Sequence, residues 1–253
     1  MPTYAVFGTD ARQTWLRVLL REAGKTVLPG SVPDGYADTV ILPIPSVTKD
    51  GLICGSERLL LDYLKYAPDG ISVWGSGIAR FQSAAQHVRL HDFTRYERFA
   101  AENAVPTAEG AIGIAMQELP VTICGGRFLV IGFGRIGRCL AQRLADLGGT
   151  VTVARRVPCT LPYRTDITGS YLYPLSEYDA IFNTVPAEVL NAEQCGQTRA
   201  DCVLIDLASA PGGICKTGGR AVIHALGLPA AAAPKTAAAI LRTILLTETE
   251  EPT

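Results

Sequence analysis

The chain reads as an α/β protein made of two doubly wound parallel sheets, one following the other in sequence. Three observations predict this. Short β-rich apolar runs alternate with helix-periodic stretches from end to end, the pattern of parallel strands with helices on both faces. The alternation breaks once, between Thr94 and Gln117, where no strong strand occurs. The second series then opens on a glycine-rich turn, Gly132-Phe133-Gly134-Arg135-Ile136-Gly137, set between an apolar strand and an amphipathic helix.

In the first series, Thr3 to Phe7 reads as a strand ending in a Gly8-Thr9-Asp10 turn. An amphipathic helix from Ala11 to Ala23 follows, with Trp15, Val18 and Leu19 on one face and Gly24 as its stop. Further strands are expected at Lys25 to Leu28, Thr39 to Leu42, Ile71 to Trp74 and Val88 to His91, with a helix around Glu57 to Tyr66. The connector from Thr94 to Gln117 reads as two helices, one before and one after Pro106. The second series has strands at Phe128 to Ile131, Val151 to Ala154, Ala180 to Asn183, Val203 to Leu207 and Ala221 to His224, with a helix from Arg135 to Leu147. The expected domains are 1–103, a flavodoxin-like unit, and 104–233. An Ala-rich helix, 234–247, is long and apolar enough to cross back onto the first.

A lone G-x-G-x-x-G is weak evidence in a chain with 25 glycines, so context decides its meaning. Here the strand Arg127-Phe-Leu-Val-Ile131 precedes it, and Ile136, Leu140 and Leu144 recur at helical spacing after it. Gly132 permits the tight turn, Gly134 lets backbone approach a pyrophosphate, and Gly137 lets the helix lie close to the strand. The second unit is therefore predicted to be a Rossmann dinucleotide-binding domain; the alternative is an ordinary βα turn without a ligand.

The residue that reads the ribose is expected at the end of the next strand. An NAD protein usually places Asp or Glu there, whereas this chain has Ala154 followed by Arg155 and Arg156. Two guanidiniums suit a 2′-phosphate through charge-assisted bonds, which predicts NADP(H) as the cofactor; the alternative is a solvated loop. The later strand ends Asn183-Thr184-Val185-Pro186 and Asp206-Leu207-Ala208-Ser209 place polar groups at the ligand crevice of an open sheet. Asn183, Thr184 and Ser209 are the stronger candidates there, with Val185, Pro186 and Leu207 beside them.

Composition narrows the class. With 48% hydrophobic and 19% charged residues the 253-residue chain can build a core, and 23 basic against 24 acidic residues leave no basic run for nucleic acid. Seven cysteines, Cys54, Cys124, Cys139, Cys159, Cys195, Cys202 and Cys215, show no C-x-x-C spacing, and most are expected as small buried hydrophobes. The stretch Met1 to Gly8 lacks the basic and apolar regions of a signal peptide, and no apolar run is long enough to span a membrane. A cytoplasmic location is expected.

Five ordered motifs, Pro106-Thr-Ala-Glu-Gly-Ala-Ile112, Gly132 to Gly137, Asn183 to Pro186, Asp206-Leu-Ala-Ser-Ala-Pro-Gly-Gly213 and Gly227-Leu-Pro229 with Ala233-Pro-Lys-Thr-Ala237, give the chain a family likeness. With the opening Phe7 to Gln13 and Pro43-Ile-Pro-Ser46, it resembles the A subunit of dipicolinate synthase over essentially its whole length. Ala230 departs from the family's usual glycine. The resemblance implies NADP-linked oxidation of a dihydrodipicolinate-type cyclic imine dicarboxylate to pyridine-2,6-dicarboxylate, with a flavoprotein-like B subunit, during endospore formation; a homo-oligomer is expected. The wider relatives are D-2-hydroxyacid dehydrogenases, whose Arg and His–Glu pair are absent at the matching places. The only later histidine, His224, reads as a structural residue inside an apolar strand.

Such a reaction needs a hydride acceptor, a base, and donors for two carboxylates. Candidate substrate-binding residues at strand ends are Thr9, Arg12, Ser46, Ser76, Lys235 and Thr236, with Lys49 and Arg80 as further cations. Asp10, Glu109 and Ser209 are the catalytic candidates, although Asp10 and Glu109 also suit helix capping or dipole roles. Two other functions stay open: a different NADP-dependent dehydrogenase of a small carboxylate or imine, and a non-catalytic nucleotide-binding regulatory subunit.

Overall fold

A computed structural model describes residues 2–30, 36–157, 160–215 and 219–250. Cys159 lies outside the described residues. The chain divides into two compact units, residues 1–103 with 229–253, and residues 104–228.

The first unit carries β1 (Thr3–Val6), α1 (Ala11–Glu22), β2 (Thr26–Val27), β3 (Thr39–Ile41), α2 (Leu60–Lys65), β4 (Ser72–Gly75) and β5 (Arg89–Asp92). All strand pairs are parallel, in the order β2-β1-β3-β4-β5. This is the flavodoxin-like order, whose topological switch falls between β1 and β3. Strands β3 and β4 are buried along their whole length, so neither alternates between core and solvent. Asp10 caps α1 by accepting from the Gln13 N–H at 2.9 Å, and Gly24 ends the turn after it with φ +73°.

The face of α1 differs from the sequence expectation. Its buried residues are Arg12, Gln13, Leu16, Leu19 and Leu20, while Trp15 and Val18 are half-buried. The stripe is displaced because two polar side chains, at positions 12 and 13, are held inside by backbone carbonyls after β3.

Residues 97–118 form one helix, α3 (Glu97–Glu118), with Pro106 inside it, where two helices were expected. Proline removes one ladder hydrogen bond and crowds the carbonyl four residues earlier. Burial of Ala104, Ala108, Ala111, Ile112 and Ala115 along one face offsets that loss.

The second unit follows with β6 (Arg127–Ile131), α4 (Arg135–Asp146), β7 (Thr150–Arg155), β8 (Arg164–Ile167), β9 (Ala180–Asn183), α5 (Ala192–Gly196), β10 (Val203–Asp206) and β11 (Val222–His224). Its parallel order, β11-β10-β9-β6-β7-β8, is the Rossmann order, with the reversal between β6 and β9. One face packs Phe128, Val130, Val153, Phe182 and Ile205 against the apolar stripes of α3 and α4. The other packs Leu129, Ile131, Ala154, Ile181 and Leu204 around Tyr178, Leu190 and Cys195. Strand β8, absent from the sequence expectation, joins the edge through Arg164, whose guanidinium hydrogen-bonds Thr152 and Tyr178 and pairs with Glu177 at 3.0 Å.

Helix α6 (Leu228–Ala232) carries the chain over the unit boundary, and α7 (Pro234–Glu250) belongs to the first unit. There Ala238, Leu241, Ile244 and Leu245 pack with Leu16, Leu20 and Trp74 in one apolar cluster. Of the six described cysteines only Cys195 and Cys202 are buried; Cys124 is exposed and the rest are intermediate, which corrects the expectation that most are buried.

Candidate functional site

The turn between β6 and α4 is built by contacts that only glycine allows. Gly132 has φ +96° and donates its N–H to the Ala154 carbonyl at 2.8 Å. A Cβ on it would overlap Thr184 Oγ1 and approach Val185 Cγ2 to 2.9 Å. A Cβ on Gly137 would overlap the Gly132 carbonyl oxygen, so α4 rests directly on the turn. Gly134 is different: it caps α4 with φ −76° and ψ −161°, and a Cβ there would meet nothing within 4 Å. Glycine at this cap brings no side-chain acceptor to the first-turn N–H groups. The open approach over Gly134 is the shape and polarity that a pyrophosphate requires.

The other residues of the motif take separate roles. Phe133 accepts a hydrogen bond from Arg138 Nε through its carbonyl, at 3.1 Å, and its ring meets Tyr163 edge-on. Ile136 packs against the core, and Arg135 is exposed.

At the end of β7, Ala154 is fully buried between Ile131 and Asp166 in register. Arg155 is half-buried and Arg156 exposed, so two guanidinium-bearing residues stand where a ribose-reading carboxylate would. The neighbouring carboxylate, Asp166, is only 3% exposed and its Oδ1 accepts from the Ile167 and Leu172 N–H groups, both at 2.7 Å. It folds its own turn.

The strand ends of β9 and β10 correct the sequence reading. Asn183 is fully buried: its Nδ2 donates to Asp206 Oδ1 at 2.8 Å and to the Val185 carbonyl at 2.9 Å, while its Oδ1 accepts from the Val185 N–H. Thr184 Oγ1 donates to the Ile131 carbonyl. Both side chains are committed to the fold. Leu207 is a core residue, and Ser209 is exposed.

Asp206, which the sequence offered only as a strand end, organises this corner. Its buried carboxylate accepts from Asn183 Nδ2, from the Ala208 N–H at 3.1 Å, and from the Gly213 and Ile214 N–H groups at 2.8 and 3.2 Å. His224 ends β11 rather than lying inside it. The imidazole is one-third exposed, with Nδ1 4.0 Å from Asp206 Oδ2. The sequence signal was an Asp closing an apolar strand five residues before the Pro211-Gly212-Gly213 turn.

In the first unit, the loops after β1, β3 and β4 come together. Arg12 is 4% exposed; its guanidinium donates to the Ile44 carbonyl at 2.5 Å and lies 4.0 Å from Asp10, while Nε is buried with no hydrogen-bond partner. Burial pushes the Arg12 guanidinium pKa down, against the opposing pull of Asp10. A buried cation with incomplete partners is what an anion can complete. Ser46 cannot serve as a ligand donor, because its hydroxyl donates to the Pro43 carbonyl at 2.6 Å and accepts from the Ser76 N–H at 2.7 Å. Ser76 is half-buried beside it.

Thr9, Lys49, Arg80 and Thr236 are exposed, and Lys235 sits over the Trp15 ring at 4.7 Å. Arg80 lies over Phe81. Asp10 acts as the α1 cap. Glu109 on α3 pairs with Arg143 on α4 at 3.2 Å. Neither carboxylate is placed as an open base.

Among the described residues, no cluster of His, Cys, Asp or Glu could hold a metal ion, and no helix is long and apolar enough to cross a membrane. No family model matches the chain. The A subunit of dipicolinate synthase from Bacillus subtilis is 30% identical, across 95% of this chain and 93% of that protein. The solved structure of the corresponding A subunit from Bacillus halodurans superposes with a TM-score of 0.85 at 25% identity, covering 99% of this chain and 98% of that one. The solved Bacillus subtilis protein gives 0.78 at 28% identity, covering 98% and 97%. Two parallel-sheet units, a glycine turn between β6 and α4 and a whole-length likeness to one family agree: the chain belongs to the family of dipicolinate synthase A subunits.

Proposed function

We propose that this chain is the dehydrogenase subunit of a dipicolinate synthase, oxidising a dihydrodipicolinate-type cyclic imine dicarboxylate to pyridine-2,6-dicarboxylate with NADP⁺ and working beside a flavoprotein-like B subunit. The open approach over Gly134, in a chain of this family, carries the reading. When bound, the nicotinamide supplies the hydride acceptor. The turn Gly132 to Gly137 and the α4 N-terminus would hold the pyrophosphate, and the backbone of residues 184–186 would line its path. Arg155 and Arg156 are assigned to the 2′-phosphate. Arg12 is assigned to a substrate carboxylate because its buried guanidinium has unmet donor capacity. Thr9 and Ser76 would add neutral donors.

The test is to mix the purified chain with its B-type partner, dihydrodipicolinate and either NADP⁺ or NAD⁺, and to follow pyridine-ring absorbance. Ring formation that requires this chain and NADP⁺ is expected. No ring product in any combination would remove the dehydrogenase reading and leave a binding or regulatory role.

A further inference from the structure

Helix α4 begins without a side-chain cap and without an acidic residue in its first turn; Arg135 and Arg138 stand there instead. Cations at the positive end of a helix are unfavourable unless an anion joins them. Arg138 follows Gly134 by four residues, so it lies on the same face of α4, one turn along from the open approach over that glycine.

Its side chain folds back over the glycine turn. Nε donates to the Phe133 carbonyl at 3.1 Å, and the guanidinium lies 5.4 Å from the centre of the Phe133 ring. These contacts hold the planar group without using its terminal nitrogens, and no carboxylate among the described residues pairs with it. Elsewhere in the same unit Arg143, Arg164 and Arg199 are each taken by a carboxylate, at 3.2, 3.0 and 2.6 Å.

The Phe133 ring sets the direction. It meets the Tyr163 ring edge-on with centroids 6.3 Å apart, and the Tyr163 hydroxyl donates to Gln142 Oε1 on α4 at 3.0 Å. Tyr163 closes the segment that leaves β7 through Arg155 and Arg156 and returns to β8. Arg138 is therefore held on the flank of the turn that faces β7, the strand whose end carries the two arginines assigned to the 2′-phosphate. Every group in this arrangement belongs to the second unit.

We propose that Arg138 is a specificity-determining residue for the dinucleotide: its terminal nitrogens take the adenosine 2′-phosphate from the side of the glycine turn, while Arg155 and Arg156 approach from β7. The inference rests on the NADP(H) reading above. A phosphate monoester presents three acceptor oxygens and close to two negative charges, and a guanidinium offers paired N–H donors that match two of those oxygens. The ribose hydroxyl of NADH offers neither the charge nor the paired acceptors. Because the Phe133 carbonyl and ring hold the fork before the ligand arrives, little side-chain freedom is lost on binding.

The experiment titrates NADPH and NADH, separately, into the full wild-type chain, Arg138→Ala and Arg138→Gln. Removing the fork raises the Kd for NADPH about 10- to 100-fold. The Kd for NADH and the Tm of the free chain stay at wild-type values; Arg138→Gln keeps the length of the side chain and carries the comparison if Arg138→Ala lowers Tm. A second readout follows the phosphorus itself. In ³¹P NMR spectra of bound NADP⁺, the 2′-phosphate resonance moves towards its free position in Arg138→Gln and the pyrophosphate resonances stay in place, which a merely structural role would not produce.

An unchanged ratio of NADPH to NADH affinity in both variants overturns the inference alone. So does an equal loss for both nucleotides, or a shift of the pyrophosphate resonances with the 2′-phosphate left in place, since either moves Arg138 to the phosphates the two cofactors share. A wild-type chain that binds NADH as tightly as NADPH, or binds neither, overturns the NADP(H) reading itself, and the role of Arg138 with it.

Discussion

Two glycines of one motif should respond to the same substitution in opposite ways. Gly134 has φ −76° and open space where a Cβ would stand, so Gly134→Ala is compatible with the fold. Its stability should change by less than about 1 kcal/mol, since alanine at a compatible glycine site tends to stabilise by limiting the unfolded chain. The added methyl group instead occupies the approach assigned to the pyrophosphate. Losing one charge-assisted hydrogen bond there costs about 1.5–3 kcal/mol, or about 10- to 100-fold in Kd for NADPH.

Gly137→Ala would drive a Cβ into the Gly132 carbonyl and push α4 off the strand. Overpacking of this kind costs about 1–3 kcal/mol, and each kcal/mol lowers Tm by about 2–4 °C in a chain of this size. Thermal unfolding with and without NADPH, together with a fluorescence titration of NADPH, reads both effects. A Gly134→Ala chain with wild-type NADPH affinity refutes the reasoning about the cofactor path. A Gly137→Ala chain with wild-type Tm refutes the packing argument.

Three further outcomes are expected. Asp206→Ala leaves Asn183 Nδ2 and the N–H groups of Ala208, Gly213 and Ile214 without their acceptor; at about 1–3 kcal/mol for an unsatisfied donor, partly relieved by entering water, the loss is about 3–5 kcal/mol in urea unfolding, and less than about 1 kcal/mol contradicts the account. Burial raises the Asp92 pKa, but hydrogen bonds from the Thr94 hydroxyl and the Ala79, Thr94 and Gly77 N–H groups outweigh it and hold the carboxyl below its ordinary value. With the native value depressed, that stability is present above the unfolded pKa and lost as pH falls through the native one, so Tm should fall below about pH 4, less steeply in Asp92→Asn; parallel curves contradict it. Arg155→Asp with Arg156→Ala should lower the preference for NADPH over NADH in paired titrations, and an unchanged ratio removes these residues from 2′-phosphate recognition.

What the sequence disclosed follows from what it encodes locally. Strand β9 and the glycine turn were legible because an apolar run ending in a polar residue, and three glycines at fixed offsets, have local physical causes. Strand β8 was not, because Arg164-Thr-Asp-Ile167 has no apolar run; Arg164 anchors it through residues 12 to 14 positions away. Pro106 signalled a break that tertiary burial of the alanine face of α3 overrides. Polar candidates divided for the same reason. Whether Ser46 or Asn183 faces a ligand or fastens a loop depends on partners 23 to 30 residues distant, Ser76 and Asp206. The organising role of Asp206 depends on the return of the Pro211-Gly212-Gly213 loop, which no periodicity records.

The central claim is that the second unit holds NADP(H) on the turn from Gly132 to Gly137. Calorimetric titration of the wild-type chain with NADPH and, separately, with NADH tests it most directly. The account predicts one site per chain that takes NADPH more tightly than NADH. Equal or tighter binding of NADH, or no binding of either, would contradict it.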